Sequence, residues 1–215
     1  MKRLCIFDLD GTLVNSIEDL SDSVNIVLER YGFPLHEIEE YKHFVGDGTL
    51  KLIERALPEQ ARIPDTIEKL HGEFSEEYRR RAVMKTRPYS GITEVIKILK
   101  ERGVILAVAS NKPDRFSRYI VDELFEKDSF DMIRGKTDGV PAKPKPDIIL
   151  GIMKAWGVSA EDTCLVGDSD VDVMTAHNAG IECIGCSWGF RGRQELESAG
   201  ADFIADDPLK IADYI

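Results

Sequence analysis

The strongest constraint on the fold is the alternation of short apolar runs with amphipathic segments along the chain. Segments with helical spacing of apolar residues, such as 92–99, lie between most of these runs. Because parallel strands need crossover connections and helices supply them, the alternation predicts a doubly wound α/β fold with a parallel sheet. The runs that we predict to be buried strands are 4–7, 104–109, 130–133, 163–166 and 181–184.

One connection is much longer than the others. About ninety residues separate the first two predicted strands, where a simple strand–helix–strand unit needs about thirty in total. This interval contains three amphipathic helical patterns, which predict an inserted α-helical cap subdomain over residues 16–87. The remaining residues, 1–15 and 88–215, would form the catalytic α/β core, with a hinge at Asn15 and at residues 88–91.

Composition narrows the classes of partner. Of the 215 residues, 43% are hydrophobic and 31% are charged, which is typical of a globular protein, and the net charge of −11 argues against nucleic acid. No apolar run is long enough to cross a membrane, so we expect a cytoplasmic protein with no membrane partner. We expect its four cysteines to be reduced, and Cys183 and Cys186 lack the second pair that a zinc site needs.

Polar residues with possible chemical roles follow the predicted strands. Ligands bind at the carboxyl ends of strands in open α/β sheets, so we expect these loops to meet at one site. Asp8 and Asp10 are two residues apart, and in an extended chain their side chains point the same way. A cation held between them and Asp168 would keep both ionised, and oxygen ligands in a partly open site favour Mg²⁺ over zinc. The residues at these strand ends are Asp8, Asp10, Ser110, Asn111, Lys143 and Asp168.

These motifs resemble those of the haloacid dehalogenase superfamily, whose phosphatases carry Asp-x-Asp-Gly-Thr after the first strand. Residues 8–12 read Asp-Leu-Asp-Gly-Thr, Ser110 matches the second motif, Lys143 the third, and residues 167–172 the acidic fourth. The predicted cap resembles that of the phosphoglycolate phosphatase-like branch. The loop at 44–49, which contains Gly46, Asp47 and Gly48, is similar to a substrate-contacting cap loop of that branch.

The resemblance implies a role for each matched residue. Asp8 would attack phosphorus and form an aspartyl-phosphate, while Asp10 would exchange protons with the leaving alcohol and then with water. Thr12, Ser110, Asn111 and Lys143 would bind phosphate oxygens. Magnesium would be held by Asp8, Asp10 and Asp168, with Asp172 orienting Lys143 or reaching the ion through water.

Each of these residues also has a plainer interpretation. Ser110 and Asn111 could cap the next helix, Asp172 could favour a helix N-terminus, and Gly46 and Gly48 could only shape a loop. Lys145 competes with Lys143, which we favour because Pro146 suits the start of the next helix. The sequence leaves open whether an arginine recognises a substrate carboxylate, and it assigns the histidines no catalytic role. The candidate arginines are Arg55, Arg115 and Arg191.

The sequence therefore predicts a Mg²⁺-dependent phosphomonoester hydrolase acting on a small phosphorylated metabolite, with 2-phosphoglycolate the leading substrate by resemblance. The alternatives are a mutase related to β-phosphoglucomutase, an inorganic pyrophosphatase or a nucleotidase. Thr12 favours a phosphatase, because the mutases that this family contains typically have valine there. A non-catalytic regulator is not favoured because every motif residue is present. The oligomeric state, monomer or homodimer, stays open.

Overall fold

The computed structural model describes residues 2–215. Its strands in chain order are β1 (Leu4–Phe7), β2 (Val14–Asn15), β3 (Arg87–Pro88), β4 (Ile105–Pro113), β5 (Met132–Lys136), β6 (Thr163–Gly167), β7 (Glu182–Cys186) and β8 (Phe203–Ala205). Its α-helices are α1 (Ile17–Arg30), α2 (Ile38–Phe44), α3 (Thr49–Ala56), α4 (Pro64–Arg81), α5 (Ile92–Glu101), α6 (Asp114–Leu124), α7 (Asp147–Trp156), α8 (Asp170–Ala179), α9 (Arg193–Ala199) and α10 (Ile211–Tyr214).

Within these residues the main sheet has six strands in the order β5-β4-β1-β6-β7-β8, and every neighbouring pair is parallel. The strand β1 is central, with Leu4 opposite Ile105 on one side and Thr163 on the other. The chain order reverses here, and the loops that follow β1, β4 and β6 diverge to leave a crevice at their carboxyl ends. The predicted doubly wound α/β fold is confirmed.

Alternate residues of β1 are buried on opposite faces of the sheet. Cys5 and Phe7 pack into the same apolar cluster as α5 and α6, while Leu4 and Ile6 pack with α7 and α8. Helices therefore cover both faces, which is why the strand is apolar at every position rather than at alternate ones. All four cysteines are buried, and burial raises the pKa of Cys5, Cys183 and Cys186 well above that of a free thiol.

The long interval of residues 16–87 contains α1 to α4, and α1 packs against both α2 and α4. The two segments that enter and leave it form a short antiparallel ribbon, in which Val14 pairs with Pro88 and Asn15 with Arg87. The two predicted hinge segments are therefore neighbours. We interpret the four helices as a cap on this ribbon, and the division into a core and a cap stays a prediction.

Some bounds differ from those predicted from sequence. The strand β4 runs on to Pro113 with a register shift after Ala109, because the polar residues 110–112 are buried and find partners there. The short strands β2, β3 and β8 were not predicted, since two- and three-residue strands carry too little periodicity to be recognised. No helix in residues 2–215 is both long enough and apolar enough to cross a membrane.

Candidate active site

Loops from different strands bring three carboxylates and one lysine together at the carboxyl edge of the sheet. Asp8 follows β1 directly, Asp168 follows β6, and Asp172 lies in the first turn of α8. Carboxylate oxygens of these three residues lie within 4.8 Å of one another. Lys143 places its Nζ 2.9 Å from Asp8 Oδ1 and 2.7 Å from Asp172 Oδ1. The sequence motifs thus form one site.

Lys143 is fixed on Asp172 and faces Asp8. Asp172 accepts the hydrogen bond of Lys143 with Oδ1, and with Oδ2 it accepts bonds from the hydroxyl and the amide of Ser169. Burial alone would lower the pKa of Lys143, but the carboxylates of Asp172 and Asp8 raise it, so the ammonium stays charged. The role predicted for Asp172, which is to orient Lys143, stays a prediction that is compatible with this hydrogen bond. Lys145, its competitor, is exposed.

Asp8 is a carboxylate in an unfavourable setting for its charge. Burial raises its pKa to about 6, against the opposing effect of Lys143 and with a further increase from Asp172. Within residues 2–215, the buried Oδ1 of Asp8 has no hydrogen-bond donor, because the contact with Lys143 is an ion pair without hydrogen-bond alignment. A divalent cation bound beside Lys143 would stabilise this oxygen further.

Asp168 is held by backbone that approaches it very closely. Its Oδ2 accepts a hydrogen bond of 2.7 Å from the amide of Phe190. A Cβ on Gly11 or on Gly189 would collide with the Asp168 side chain, and Gly11 also has a φ of +84°. Burial, then Asp172 and Asp8, raise the pKa of Asp168. A cation bound nearby would favour its ionised form.

The carboxylates fit a divalent cation that prefers oxygen ligands. Burial first, and then neighbouring carboxylates, raise the pKa values of Asp8 and Asp168, and Lys143 only partly offsets this. An ion bound there would supply the missing positive charge. Both oxygens of Asp172 are engaged by Lys143 and Ser169, which leaves Asp8 and Asp168 as the freer ligands.

Asp10 lies beside this group but its carboxylate has other partners. Lys112 Nζ donates to both oxygens of Asp10, at 3.0 and 2.8 Å, and Ser16 donates its hydroxyl to Oδ1. Asp10 is absent from the convergent set of carboxylates in residues 2–215. A role of the Asp10 side chain on the metal and its acid–base role both stay predictions.

Of the residues predicted to bind phosphate, some line the pocket and others have side chains that bond to other groups of the protein. Ser110 lines the pocket that Asp8 faces, and its Oγ accepts a bond from the amide of Lys112. Asn111 lines it too, but its side-chain amide donates to the carbonyls of Gly46 and Lys143 and accepts from the Lys143 amide. The Thr12 hydroxyl is buried and donates to Asp168 at 3.4 Å. The side chains of Asn111 and Thr12 therefore position other groups, and phosphate contact by either residue stays a prediction.

The predicted cap loop reaches the same pocket. Gly46 and Gly48 line it, both with positive φ, and the carbonyl of Gly46 accepts the bond from Asn111. Asp47 instead forms an ion pair with Arg55. The glycines thus bring cap backbone onto the core site, whereas the Asp47 carboxylate is turned to its neighbour in α3.

Two cationic residues of the pocket were not assigned by the sequence. Lys112 was overlooked because it lies between a strand and Pro113, where a lysine usually is a surface residue. Arg191 was one of three open arginines and is the one of them that lines the pocket. It donates to the Val45 carbonyl at 2.9 Å and contacts the ring of His43 at 3.1 Å, so it also joins the segment before α9 to residues 43–45.

Comparison with known proteins agrees with this arrangement. The sequence model of the haloacid dehalogenase-like hydrolase family matches residues 5–186 of this chain. The chain is 32% identical to the phosphoglycolate phosphatase of Pseudomonas putida, covering 96% of this chain and 77% of that protein. It is 30% identical to the phosphoglycolate phosphatase of Psychrobacter arcticus, covering 100% and 96% of the two.

A solved structure shows the same fold. The crystal structure of a predicted phosphoglycolate phosphatase from Haemophilus somnus superposes with a TM-score of 0.92 at 29% identity, covering 99% of this chain and 97% of that one. The residues that the family model matches include all but the first residue of β1 and the whole of β5 and β6, with the segments after these strands that carry Asp8, Lys143 and Asp168. This chain belongs to the haloacid dehalogenase-like hydrolase family.

Proposed function

We propose that this protein is a Mg²⁺-dependent phosphomonoester hydrolase that uses Asp8 as its nucleophile. The observation that carries the proposal is the position of Asp8 in the pocket, with Oδ1 next to Lys143 and without a hydrogen-bond donor in residues 2–215. The names of the relatives from Pseudomonas putida and Psychrobacter arcticus support a phosphatase.

The first half-reaction moves the phosphoryl group onto the protein. A carboxylate oxygen of Asp8 bonds to phosphorus as the bond from phosphorus to the ester oxygen breaks. Asp10 gives a proton to that oxygen, which leaves as an alcohol. Lys143 stabilises negative charge on Asp8 and on the phosphoryl oxygens, and its bond to Asp172 keeps it in place without rearrangement.

The second half-reaction restores the protein. Water bonds to phosphorus of the aspartyl-phosphate, Asp10 takes a proton from the water, and the acyl-phosphate bond breaks to free Asp8. Asp8 and Asp168 would hold Mg²⁺, which would supply positive charge to phosphate oxygens and so reduce the repulsion between two anions. One carboxyl group, Asp10, serves both half-reactions.

The pocket favours a small substrate that carries a carboxylate beside its phosphate, and 2-phosphoglycolate is the substrate that we propose. Arg191 lines the pocket and forms an ion pair with Glu195, whose Oε1 lies 3.8 Å from the arginine Nε, beyond hydrogen-bond distance. Its guanidinium otherwise contacts neutral groups of the cap loop, the carbonyl of Val45 and the ring of His43. It can therefore pair with a substrate carboxylate.

The test is phosphate release from 2-phosphoglycolate and from p-nitrophenyl phosphate, each with Mg²⁺ and with a chelator. We expect turnover with the metal only, and its loss in Asp8→Asn. The matched control is Asp213→Asn, which removes an exposed carboxylate of α10 paired with Lys210 and should retain turnover. Unchanged turnover in Asp8→Asn would refute the proposal. A panel with glucose phosphates, nucleotides and pyrophosphate tests the other substrate classes.

A further inference from the structure

Lys112 is a buried cation placed against Asp10. It comes from the register-shifted end of β4, and its side chain is only 2% exposed. Its Nζ bonds to both carboxylate oxygens of Asp10, at 3.0 and 2.8 Å. Burial alone would lower the pKa of Lys112, but the charge of Asp10 raises it. An ammonium group paired with Asp10 therefore forms part of the wall of the pocket.

The same ammonium also meets the predicted cap. It lies 4.7 Å from the centre of the Tyr78 ring, which belongs to α4 and is fully buried. An ammonium over an aromatic face is attracted by the ring, and more strongly when both are removed from water. Lys112 thus joins Asp10 in the core to a helix of residues 16–87.

These contacts leave Asp10 little freedom of rotation. Its Oδ1 accepts bonds from Lys112 and Ser16, and its Oδ2 accepts one from Lys112. Proton transfer requires the carboxyl group to lie within hydrogen-bond reach of the leaving oxygen, and small displacements are costly to the rate. A flexible aspartate after β1 would have no such constraint.

We infer that Lys112 is a positioning residue, which holds the Asp10 carboxyl in place for proton transfer to the leaving group and which depends on Tyr78 for its own position. The inference rests on the proposed function, because it assumes that Asp10 is the acid and base of the phosphatase reaction. It adds a residue outside the four motifs and a link from α4 to the proton-transfer step.

Esters whose leaving groups differ in basicity can show whether Lys112 positions Asp10 for proton transfer or only stabilises the folded protein. An alkoxide needs a proton as it leaves, a phenoxide needs it less and p-nitrophenoxide needs it least. The experiment therefore measures single-turnover release of alcohol or phenol from 2-phosphoglycolate, phenyl phosphate and p-nitrophenyl phosphate. Single turnover isolates the first half-reaction from the later attack of water.

For Lys112→Met we expect a rate loss of about 100-fold or more on the alkyl ester, a smaller loss on phenyl phosphate, and a change within a few-fold on p-nitrophenyl phosphate. Lys112→Arg should restore part of the alkyl rate, because it returns a cation to Asp10. Equal losses on all three esters, or no loss, would overturn the inference.

A second pair of variants keeps Lys112 itself intact. Tyr78→Leu removes the ring above the ammonium, whereas Tyr78→Phe keeps the ring and deletes a hydroxyl that is buried without a hydrogen-bond partner in residues 2–215. We expect Tyr78→Leu to shift the alkyl-to-aryl rate ratio in the direction of Lys112→Met, and Tyr78→Phe to leave it unchanged. The same alkyl-to-aryl rate ratio in Tyr78→Leu and Tyr78→Phe would overturn the link to α4.

The outcomes also separate this inference from the proposed function. Turnover by the wild-type protein, lost in Asp8→Asn, supports the phosphatase whatever the Lys112 variants do. If the wild-type protein turns over all three esters and the Lys112 variants show no dependence on the leaving group, only the positioning role falls. If the wild-type protein releases phosphate from none of them, both fall.

Discussion

Asp168 shows how single residues of this site depend on close backbone contact. Its carboxylate is buried between Gly11 and Gly189 and accepts a hydrogen bond from the backbone amide of Phe190. Neither glycine has room for a side chain, so the residue types at these positions follow from where Asp168 must lie. At this scale the site is a set of buried charges that only accurate packing can hold together.

Gly189→Ala is expected to displace Asp168, because the new methyl group would overlap the Asp168 side chain and the carbonyl of Gly11. We expect a loss of roughly 1–3 kcal/mol in the free energy of unfolding and a fall in metal affinity. Urea unfolding and Mg²⁺ titration measure the two effects. Gly151→Ala, in open space on α7, is the control and should raise stability by about 0.5–1 kcal/mol. Full metal affinity in Gly189→Ala would contradict the packing argument.

Arg191→Met is expected to weaken binding of substrates that carry a carboxylate. Loss of a charge-assisted hydrogen bond of about 1.5–3 kcal/mol corresponds to a rise in KM of roughly 10- to 100-fold for 2-phosphoglycolate. The comparison substrate is ethyl phosphate, which lacks the carboxylate and should change much less. Equal effects on both substrates would show that Arg191 acts only by joining core and cap.

Among the secondary-structure elements of residues 2–215, five of the six strands of the main sheet were predicted, whereas β8 and the contacts between residues 16–87 and the rest of the chain were not. The run at 4–7 was predicted with its observed bounds, because full burial on both faces makes it apolar throughout. The motif residues Asp8, Lys143 and Asp168 were predictable because polar residues after buried strands meet at one edge. Lys112, by contrast, is buried only because Asp10 and Tyr78 come from distant segments, and no local pattern encodes that.

Asp19 of α1 is a second residue whose contacts, here at the predicted hinge, join distant segments of the chain. Its buried carboxylate accepts bonds from the amides of Lys85 and Thr86 and from the Thr86 hydroxyl, at 2.7 to 3.1 Å. It therefore fixes the start of α1 to the segment that returns to β3.

Asp19→Ala is expected to lower the free energy of unfolding by roughly 3–5 kcal/mol, since it leaves buried amides without acceptors. The control is Asp22→Asn, which removes a surface ion pair with Lys85 and should cost less than about 1 kcal/mol. Denaturant unfolding followed by circular dichroism compares them. Similar values for the two variants would show that Asp19 does not secure the hinge.

For the whole molecule, the carboxylates of the site should make the metal-free protein less stable as pH rises. The folded-state pKa of Asp8 is raised from 3.8 to about 6, so the folded protein holds more protons than the unfolded chain between those values. Stability from this group is therefore present at low pH and is lost as pH rises through about 6. A bound divalent cation would reverse this by stabilising the ionised form.

In a chelator, we expect the free energy of unfolding to fall by roughly 1–3 kcal/mol from this group between about pH 4 and about pH 7. Added Mg²⁺ should stabilise the protein more at the higher pH. Asp8→Asn should flatten the dependence, because the amide does not ionise. Urea unfolding at several pH values checks this, and a wild-type profile identical to that of Asp8→Asn would contradict it.

The central claim is that Asp8 becomes phosphorylated during turnover, and acid-quenched peptide mass spectrometry tests it most directly. Protein mixed with 2-phosphoglycolate and Mg²⁺ and quenched within one turnover should carry a phosphate on the peptide that contains Asp8. The label should be absent without metal and in Asp8→Asn. Phosphate release at full rate by Asp8→Asn, or a phosphate found on a different residue, would contradict the account.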